Sequence, residues 1–386
     1  MQYIILVADG MADLPIPELG NKTPLEAADT PHMDFMAQHG VCGLVQTVPE
    51  GVAPGSDVAN MSILGYDPRK YYTGRGPIEA ASLGITLPDD KIAFRCNFVT
   101  INNNKMVDFT ADHISTEAAD QLLKKLQPHL TEIQFYTGVS YRHISFLDPK
   151  YLNVSCTPPH DITGKQVDSF LPKGNFSEEL ISLMNRSAAL LANTELNPTQ
   201  ATQIWLWSQG GKPTFPLFYD EFHLTGGIIT AVGLLKGLGR LIGFETPDVK
   251  GATGFIDTNY QGKVDAAFDL LKTKDFVFLH VEAPDEAGHM GDTALKIRAI
   301  SDFDHHIVGP ILDYQKTHPD LCILILPDHP TPISIKTHTG DPVPFVMTGP
   351  DYNKKIQVAF SEKLCYNSDV FMKSGRDLLN SFFNRC

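Results

Sequence analysis

LCILILPDHPTP, residues 321–332, joins an uninterrupted apolar run to Asp328, His329 and two prolines. A short apolar run that ends in turn residues is typical of a strand buried on both faces of a parallel sheet. Burying an aspartate beside a histidine at the end of such a strand costs free energy unless both side chains find partners. Another histidine, His338, follows nine residues after His329. A bound metal ion would provide a partner for all three side chains.

Similar apolar runs recur along the chain and alternate with helical patterns. We predict strands at YIILVAD (3–9), GLVQTV (43–48), GGIITAV (226–232), DFVFLHVEA (275–283) and VPFVMTG (343–349). Helical periodicity at 257–271 and 293–316 falls between the later runs. Strands that alternate with helices indicate an α/β fold, here a doubly wound, mostly parallel sheet.

The middle of the chain has a different pattern. It contains three strand-like stretches, a helical stretch at 115–125 and turn signals such as INNNK. The strand-like stretches are IAFRCNFVTI (92–101), IQFYTGVSYRHISFL (133–147) and YLNVSC (151–156), and a helix near 178–192 and the strand IWLW (204–207) follow. We predict an inserted smaller α+β cap domain at 91–222, whose C-terminal boundary falls between 172 and 222, within a core formed by 1–90 and 223–386.

Composition and charge exclude several classes of function. The 386 residues are 42% hydrophobic, which is enough for a large core, and no apolar stretch approaches a membrane span. The 45 acidic against 31 basic residues give a net charge of -14, which argues against nucleic acid or an anionic membrane as a partner. The N-terminus does not resemble a signal peptide. The six cysteines form no CxxC pair, which is typical of reduced thiols in a cytoplasmic protein: Cys42, Cys96, Cys156, Cys322, Cys365 and Cys386. The sequence leaves the oligomeric state open.

Carboxylates and imidazoles follow three of the predicted strands. In open α/β sheets, ligands bind beyond the carboxyl ends of the strands. Taken singly, each of these residues also fits a helix cap, a surface pair or a turn. Together they form a mixed set of oxygen and nitrogen donors that suits Mn, Zn, Mg or Co. The predicted ligands are Asp9, Asp285, His289, Asp328, His329 and His338.

PGSDVANMSILGYDP, residues 54–68, predicts a helix that begins at Ser56 and stops at Gly65. Alone, Ser56 fits a capping serine. The chain lacks the G-x-S-x-G motif of serine hydrolases, so another group would have to activate this hydroxyl. A metal ion can do so, and the N–H groups at a helix N-terminus favour a phosphoryl group beside it.

The chain resembles the archaeal-type cofactor-independent phosphoglycerate mutases of the alkaline phosphatase superfamily over nearly its whole length. The motifs are LGNKTPLEAADTPHMD, PGSDVANMSILGYDP, YYTGRGPIEAASLGI, GATGFIDTNY, PDEAGH, PDHPTP and HTGDPVP. The resemblance implies an alkaline phosphatase-like core, a serine nucleophile, two divalent metal ions with Mn foremost, and no 2,3-bisphosphoglycerate. It places one ion on Asp285, His289 and His338, and the other on Asp9, Ser56, Asp328 and His329.

A small phosphorylated acid as substrate needs further cations for its phosphate and carboxylate. Arginine presents a planar fork that matches both groups. The two arginines that we most expect to bind the substrate are Arg75, in the family-like GRGP loop, and Arg142. The other candidates are Arg95, Arg186, His113 and His143.

Several functions compete. In a mutase, Ser56 would carry the phosphoryl group while a closed cap retains glycerate. The predicted cap also resembles a bacterial branch that includes proposed homoserine kinases, although the chain has no GxxxxGK[ST] loop for ATP. CTPPH (156–160) approaches a sulfatase signature, but His160 replaces its arginine and the stretch lies in the cap, so we reject this function. A non-enzymatic binding module would lack a metal ligand, and none is missing.

Overall fold

A computed structural model describes residues 1–193, 197–350 and 358–385, which form two compact units. The first unit contains the described residues of 1–72 and 215–386, and the second contains those of 73–214. The predicted domain boundaries lie at 90/91 and 222/223 instead. The assignment of the inserted segment as a cap stays a prediction.

A seven-stranded mixed sheet forms the centre of the first unit. Its strands are β1 (Gln2–Ala8), β2 (Val41–Val45), β8 (Gly226–Ile229), β9 (Phe276–Val281), β10 (Leu321–Leu326), β11 (Val343–Thr348) and β12 (Phe371–Met372), and β3 to β7 belong to the second unit. The spatial order is β12-β2-β11-β10-β1-β9-β8. Strands β10, β1, β9 and β8 are parallel, whereas β11 is antiparallel to both of its neighbours. The predicted α/β class with parallel strands is confirmed.

Helices pack on both faces of this sheet. They are α1 (Pro24–Ala27), α2 (Pro31–His39), α3 (Ser56–Ile63), α4 (Pro68–Tyr71), α8 (Phe218–Phe222), α9 (Gly233–Leu241), α10 (Tyr260–Leu271), α11 (Ala283–Met290), α12 (Thr293–Phe303), α13 (Gly309–Thr317), α14 (Glu362–Tyr366) and α15 (Gly375–Arg385). On one face, Ile4 and Leu6 of β1 share a buried cluster with residues of α2, α10, α12 and α13. On the other face, the Tyr3 ring meets Phe382 and Phe383 of α15 edge-on. Side chains alternate along a strand, so β1 is covered on both sides.

The long helical pattern predicted at 293–316 is interrupted by one π-helical turn, Asp304–Val308, between α12 and α13. The buried Asp304 carboxylate accepts hydrogen bonds from the backbone N–H groups of His32 and Met33, in the first turn of α2. An acceptor there satisfies N–H groups that have no partner within the helix. The π turn therefore fixes the start of α2.

The second unit is an α+β unit with five antiparallel strands. They are β3 (Ile92–Asn102), β4 (Lys105–Asp108), β5 (Gln134–Val139), β6 (Arg142–Leu147) and β7 (Gln203–Gly210). Its helices are α5 (Arg75–Ser82), α6 (Thr116–Leu126) and α7 (Ser177–Leu191). Strand β3 pairs with β4, β6 and β7. The strand predicted at 151–156 is wrong, because only an isolated bridge between Ser155 and Lys173 forms there.

The cysteines agree with the sequence analysis except at one position. Cys42, Cys96, Cys156 and Cys365 are free. Cys322 in β10 is disulfide-bonded, contrary to the expectation of reduced thiols, because sequence spacing does not show which cysteines meet in the fold. Cys386 lies outside the described residues. Among the described helices, none has the length and apolar character needed to cross a bilayer.

Candidate active site

The carboxyl ends of three adjacent parallel strands carry most of the predicted ligands. Strand β1 lies between β9 and β10 and is in register with both. Asp9 directly follows β1, and Asp328 and His329 follow β10. Helix α11 begins two residues after β9 and carries the buried Asp285 and, one turn later, the partly exposed His289. Parallel strands thus deliver these side chains to one edge of the sheet, as the sequence pattern predicts.

One cluster surrounds Ser56. The ligand atoms of Asp9, Asp328 and His329 lie within 4.8 Å of one another, and all three side chains are buried. The Ser56 Oγ atom lies 3.1 Å from His329 Nε2 and 3.4 Å from Asp9 Oδ2. The hydroxyl therefore faces the acidic cluster and the imidazole together.

A second cluster lies beside the first. His289 Nε2 is 3.1 Å from Asp285 Oδ2 and 2.9 Å from His338 Nε2. His338 Nε2 is in turn 3.5 Å from Asp285 Oδ1. His329 is adjacent to both clusters, because its ligand atom also lies within 4.8 Å of those of Asp285 and His338. All seven predicted ligands therefore come together in the first unit.

The donor set fits divalent cations. The buried Asp9 Oδ1 atom has no hydrogen-bond partner within the described residues, although a buried oxygen of this kind normally has one. The Nε2 atoms of His289 and His338 face each other at 2.9 Å. His289 Nδ1 lies 3.0 Å from the Lys336 carbonyl oxygen, to which it donates, so Nε2 is the metal-facing atom of the neutral ring.

The electrostatics of the two clusters also favour a bound cation. Burial raises the pKa of Asp9 well above its usual range, and the nearby Asp328 and Asp285 carboxylates raise it further. Burial also opposes ionisation of Asp328, but the neighbouring His329 and His280 rings outweigh it and lower the pKa of that carboxyl. The hydrogen bond with Asp285 raises the pKa of His289 to about 9. A proton therefore competes with a metal ion for His289 at neutral pH.

Local structure explains the position of Ser56. Helix α3 begins at Ser56 with Gly55 at the capping position, so Ser56 is the first helical residue rather than the cap. Gly55 has φ 175°, an extended value that does not require glycine. The predicted apolar residues Val58 and Met61 are buried, and the turn closes at Gly65 with φ 87°. The hydroxyl of Ser56 thus projects from a helix N-terminus whose N–H groups favour an anion.

Two polar side chains of the site escaped the sequence analysis. Asn60 Nδ2 donates to Asp328 Oδ2 at 2.7 Å and to the Ser56 carbonyl oxygen at 2.8 Å. His280 Nε2 lies 2.9 Å from Asp9 Oδ2. A signal existed for both, because Asn60 is one helical turn after Ser56 and His280 is the only polar residue of the apolar strand FVFLHV.

Three of the predicted substrate-binding arginines lie near one another in the second unit. The Arg95 guanidinium is 3.0 Å from Glu79 Oε2 and 4.1 Å from the centre of the Trp207 ring. Burial lowers the pKa of Arg95, and the charges of Arg75 and Arg142 lower it further, against the opposing effect of Glu79. The charges of Arg75 and Arg142 therefore act on Arg95, whose own charge is paired with Glu79.

The other three predicted substrate-binding residues each lie in a different environment. Arg186 forms an exposed ion pair with Glu132. The His143 ring is buried, and its Nδ1 atom accepts a hydrogen bond from the Gly138 N–H. His113 is exposed on a turn with φ 50°.

Comparison with known proteins identifies relatives over the whole chain. The family profile described as 2,3-bisphosphoglycerate-independent phosphoglycerate mutase matches residues 37–197. The protein of that name from Methanosarcina barkeri is 48% identical, with 98% of each chain covered. A structure of a Pyrococcus horikoshii protein is 29% identical with a TM-score of 0.79, covering 99% of this chain and 96% of that chain. The cofactor-independent phosphoglycerate mutase from Thermoplasma acidophilum is 26% identical with a TM-score of 0.67, covering 99% of each chain. The chain belongs to the 2,3-bisphosphoglycerate-independent phosphoglycerate mutase family.

Proposed function

We propose that this chain interconverts 3-phosphoglycerate and 2-phosphoglycerate through a phosphoserine on Ser56, without 2,3-bisphosphoglycerate. The observation that carries the proposal is the position of the Ser56 hydroxyl. It lies at the N-terminus of α3, 3.1 Å from His329 Nε2 and 3.4 Å from Asp9 Oδ2, beside two clusters of metal-type donors. Family membership supports the same activity.

Two divalent metal ions belong to this proposal. One ion would be held by Asp9, Ser56, Asp328 and His329. The other ion would be held by Asp285, His289 and His338. The mixture of carboxylate and imidazole donors favours Mn, with Zn, Co and Mg as alternatives. Bound ions of this kind lower the pKa of a coordinated hydroxyl and neutralise charge on phosphoryl oxygens.

The transfer proceeds in two steps. The Ser56 Oγ–P bond forms while the ester bond to the C3 oxygen breaks, and the proton lost by Ser56 ends on that oxygen. The 2-hydroxyl oxygen then bonds to phosphorus as the Ser56 Oγ–P bond breaks, and the proton of that hydroxyl ends on Ser56 Oγ. Asn60, which donates to Asp328 and to the Ser56 carbonyl, holds the nucleophile and the carboxylate in a fixed relation. N–H groups of α3 stabilise the negative charge near Ser56.

The arginines predicted from the sequence supply the substrate contacts in this proposal. The carboxylate and the phosphate oxygens of the substrate would bind to Arg75, Arg95 and Arg142, because guanidinium geometry suits both groups. The segment 91–222 acts as a cap that retains glycerate and excludes water, because water would hydrolyse the phosphoserine. A glycolytic role in the cytoplasm forms part of the same proposal.

The homoserine kinase alternative is not favoured. It would require ATP, and the sequence has no glycine-rich phosphate loop. The Methanosarcina barkeri relative, which covers 98% of this chain, is named a mutase.

A substrate assay tests the proposal. Purified, Mn-loaded protein receives either 3-phosphoglycerate alone or homoserine with ATP. We expect conversion to 2-phosphoglycerate without any nucleotide or 2,3-bisphosphoglycerate. Release of ADP that depends on homoserine, with 3-phosphoglycerate left unchanged, would overturn the mutase in favour of the kinase.

A further inference from the structure

We infer that Thr331 is a positioning residue that couples the two proposed metal sites through one hydroxyl group. Thr331 is fully buried, two residues beyond His329 in the loop after β10. Its hydroxyl donates a hydrogen bond to Asp285 Oδ1 and lies 3.3 Å from His329 Nδ1. Asp285 belongs to one proposed set of ligands and His329 to the other. The inference therefore rests on the proposed function.

The single hydrogen atom of the Thr331 hydroxyl determines the tautomer of His329. A threonine hydroxyl has one hydrogen and two lone pairs. Because this hydrogen goes to Asp285, the contact with His329 requires Nδ1–H to donate and the Thr331 oxygen to accept. His329 Nε2 is then the atom with a free lone pair, and it is the atom that lies 3.1 Å from Ser56 Oγ. The same hydroxyl thus orients a carboxylate of one site and selects the tautomer of an imidazole of the other.

The backbone around Thr331 is held as firmly as its side chain. The Thr331 N–H donates to the Ala12 carbonyl oxygen, and the Lys296 Nζ atom donates to the Thr331 carbonyl oxygen at 2.8 Å. The buried Asp13 carboxylate accepts from Lys296 at 2.8 Å and from the Ile333 N–H at 3.1 Å. All polar atoms of Thr331 therefore have partners, and its hydroxyl cannot turn away without breaking several bonds.

Gly10 shows how closely the chain packs against this hydroxyl. A Cβ atom at Gly10 would lie 2.7 Å from Thr331 Oγ1 and 2.6 Å from Asp285 Oδ1. Both distances are shorter than carbon and oxygen atoms tolerate. The space beside the Thr331–Asp285 hydrogen bond is therefore too small for any side chain at position 10.

Binding of Mn²⁺ to the full chain tests the inference, with calorimetry on metal-stripped protein as the measurement. Thr331→Val keeps the shape of the side chain and removes the hydroxyl, and Thr331→Ser keeps the hydroxyl. We expect Thr331→Val to weaken both Mn²⁺ affinities at least ~10-fold, as loss of a group that supports metal ligands typically does. Thr331→Ser should restore both. Thr47→Val is the matched control, because Thr47 is equally buried and its hydroxyl has no hydrogen-bond partner within the described residues.

The outcomes separate this inference from the proposed function. Two Mn²⁺ ions bound by Thr331→Val with unchanged affinities, or weakening at one site alone, would overturn the coupling and leave the metal pair intact. Wild-type protein that binds no Mn²⁺ would overturn both. If Thr331→Val does not fold, as judged by circular dichroism, Thr331→Ala removes the same hydroxyl with less bulk and is held to the same criteria.

Discussion

At the scale of single residues, the contacts of the Ser56 hydroxyl separate a chemical role from a structural one. The Oγ atom contacts Asp9 and His329, while Gly55 occupies the capping position of α3. A side chain that does not cap its helix adds little to helix stability. The hydroxyl can therefore be removed with little effect on folding.

We expect Ser56→Ala to keep the wild-type unfolding temperature within a few degrees and to lose phosphoryl transfer almost completely. Circular dichroism and the 3-phosphoglycerate assay measure the two effects. Ser62→Ala is the control on the same helix, because its hydroxyl accepts a bond from the Gly375 N–H and lies outside the metal-type clusters. An active Ser56→Ala protein would mean that the nucleophile is another group.

Gly10 allows a second prediction at this scale. Gly10→Ala introduces both a left-handed backbone strain, at φ 61°, and a clash with Asp285 and Thr331. Gly20→Ala at φ 68° introduces the strain alone, because nothing lies within 4 Å of its added Cβ. The strain costs about 1–2 kcal/mol in each protein. We expect Gly10→Ala to lower the free energy of unfolding clearly more than Gly20→Ala in urea titrations, and equal losses would show that the loop adapts.

At the scale of elements, the apolar runs predicted every strand of the first unit except β12. Such runs are informative because strands buried on both faces leave no polar alternation. They do not encode direction, so the antiparallel β11 could not be distinguished from its parallel neighbours. The error at 151–156 has a related cause. Tyr151 and Val154 are buried, but they are three residues apart, as in the 3-10 turn Pro149–Tyr151, and the chain there forms only an isolated bridge.

The candidate site was predictable where its residues follow strands. Asp9, Asp328 and His329 stand at strand ends, so topology alone brings them together. The spacing of Asn60 from Ser56 was a local signal, but the hydrogen bonds of Asn60 with Asp328 and of Thr331 with Asp285 join residues distant in sequence, which no local pattern specifies. The preference for Arg75 and Arg142 over the other arginines stays a prediction, because the ion pairing and burial that decide it, as at Arg95, depend on tertiary packing.

Helix α12 supplies a prediction at the element scale through Lys296. Its ammonium group is buried and is held by Asp13 and by the carbonyl oxygens of Ala12 and Thr331. Lys296→Met would leave the Asp13 carboxylate buried beside no cation, which typically costs about 3–5 kcal/mol. We expect a corresponding loss in the free energy of unfolding, measured with urea. Lys316→Met on α13 removes an exposed pair with Asp313 and should leave it unchanged, and a comparable loss in both variants would contradict this explanation.

At the scale of the whole molecule, the net charge of -14 includes buried carboxylates that repel one another. A cation that binds only the folded state raises stability by mass action, by about 2.7 kcal/mol at one hundred times its Kd. We expect the unfolding temperature to rise with Mn²⁺ concentration and to fall with excess chelator, together with activity. Asp328→Asn should lose most of this response, whereas the exposed Asp341→Asn should keep it. If neither Mn²⁺ nor excess chelator changed the unfolding temperature, the metal pair would be excluded.

The central position of β1 has a consequence for the order in which the protein is made. Strand β1 leaves the ribosome before the second unit, but its sheet neighbours β9 and β10 are synthesised only after the second unit is complete. Strands β3 to β7 find all their partners within the second unit. Nascent chains halted near residue 260, where the whole second unit has left the ribosomal tunnel, should therefore contain a protease-resistant second unit and a sensitive, apolar segment before it. That segment is the part of the newborn chain that most needs protection by chaperones.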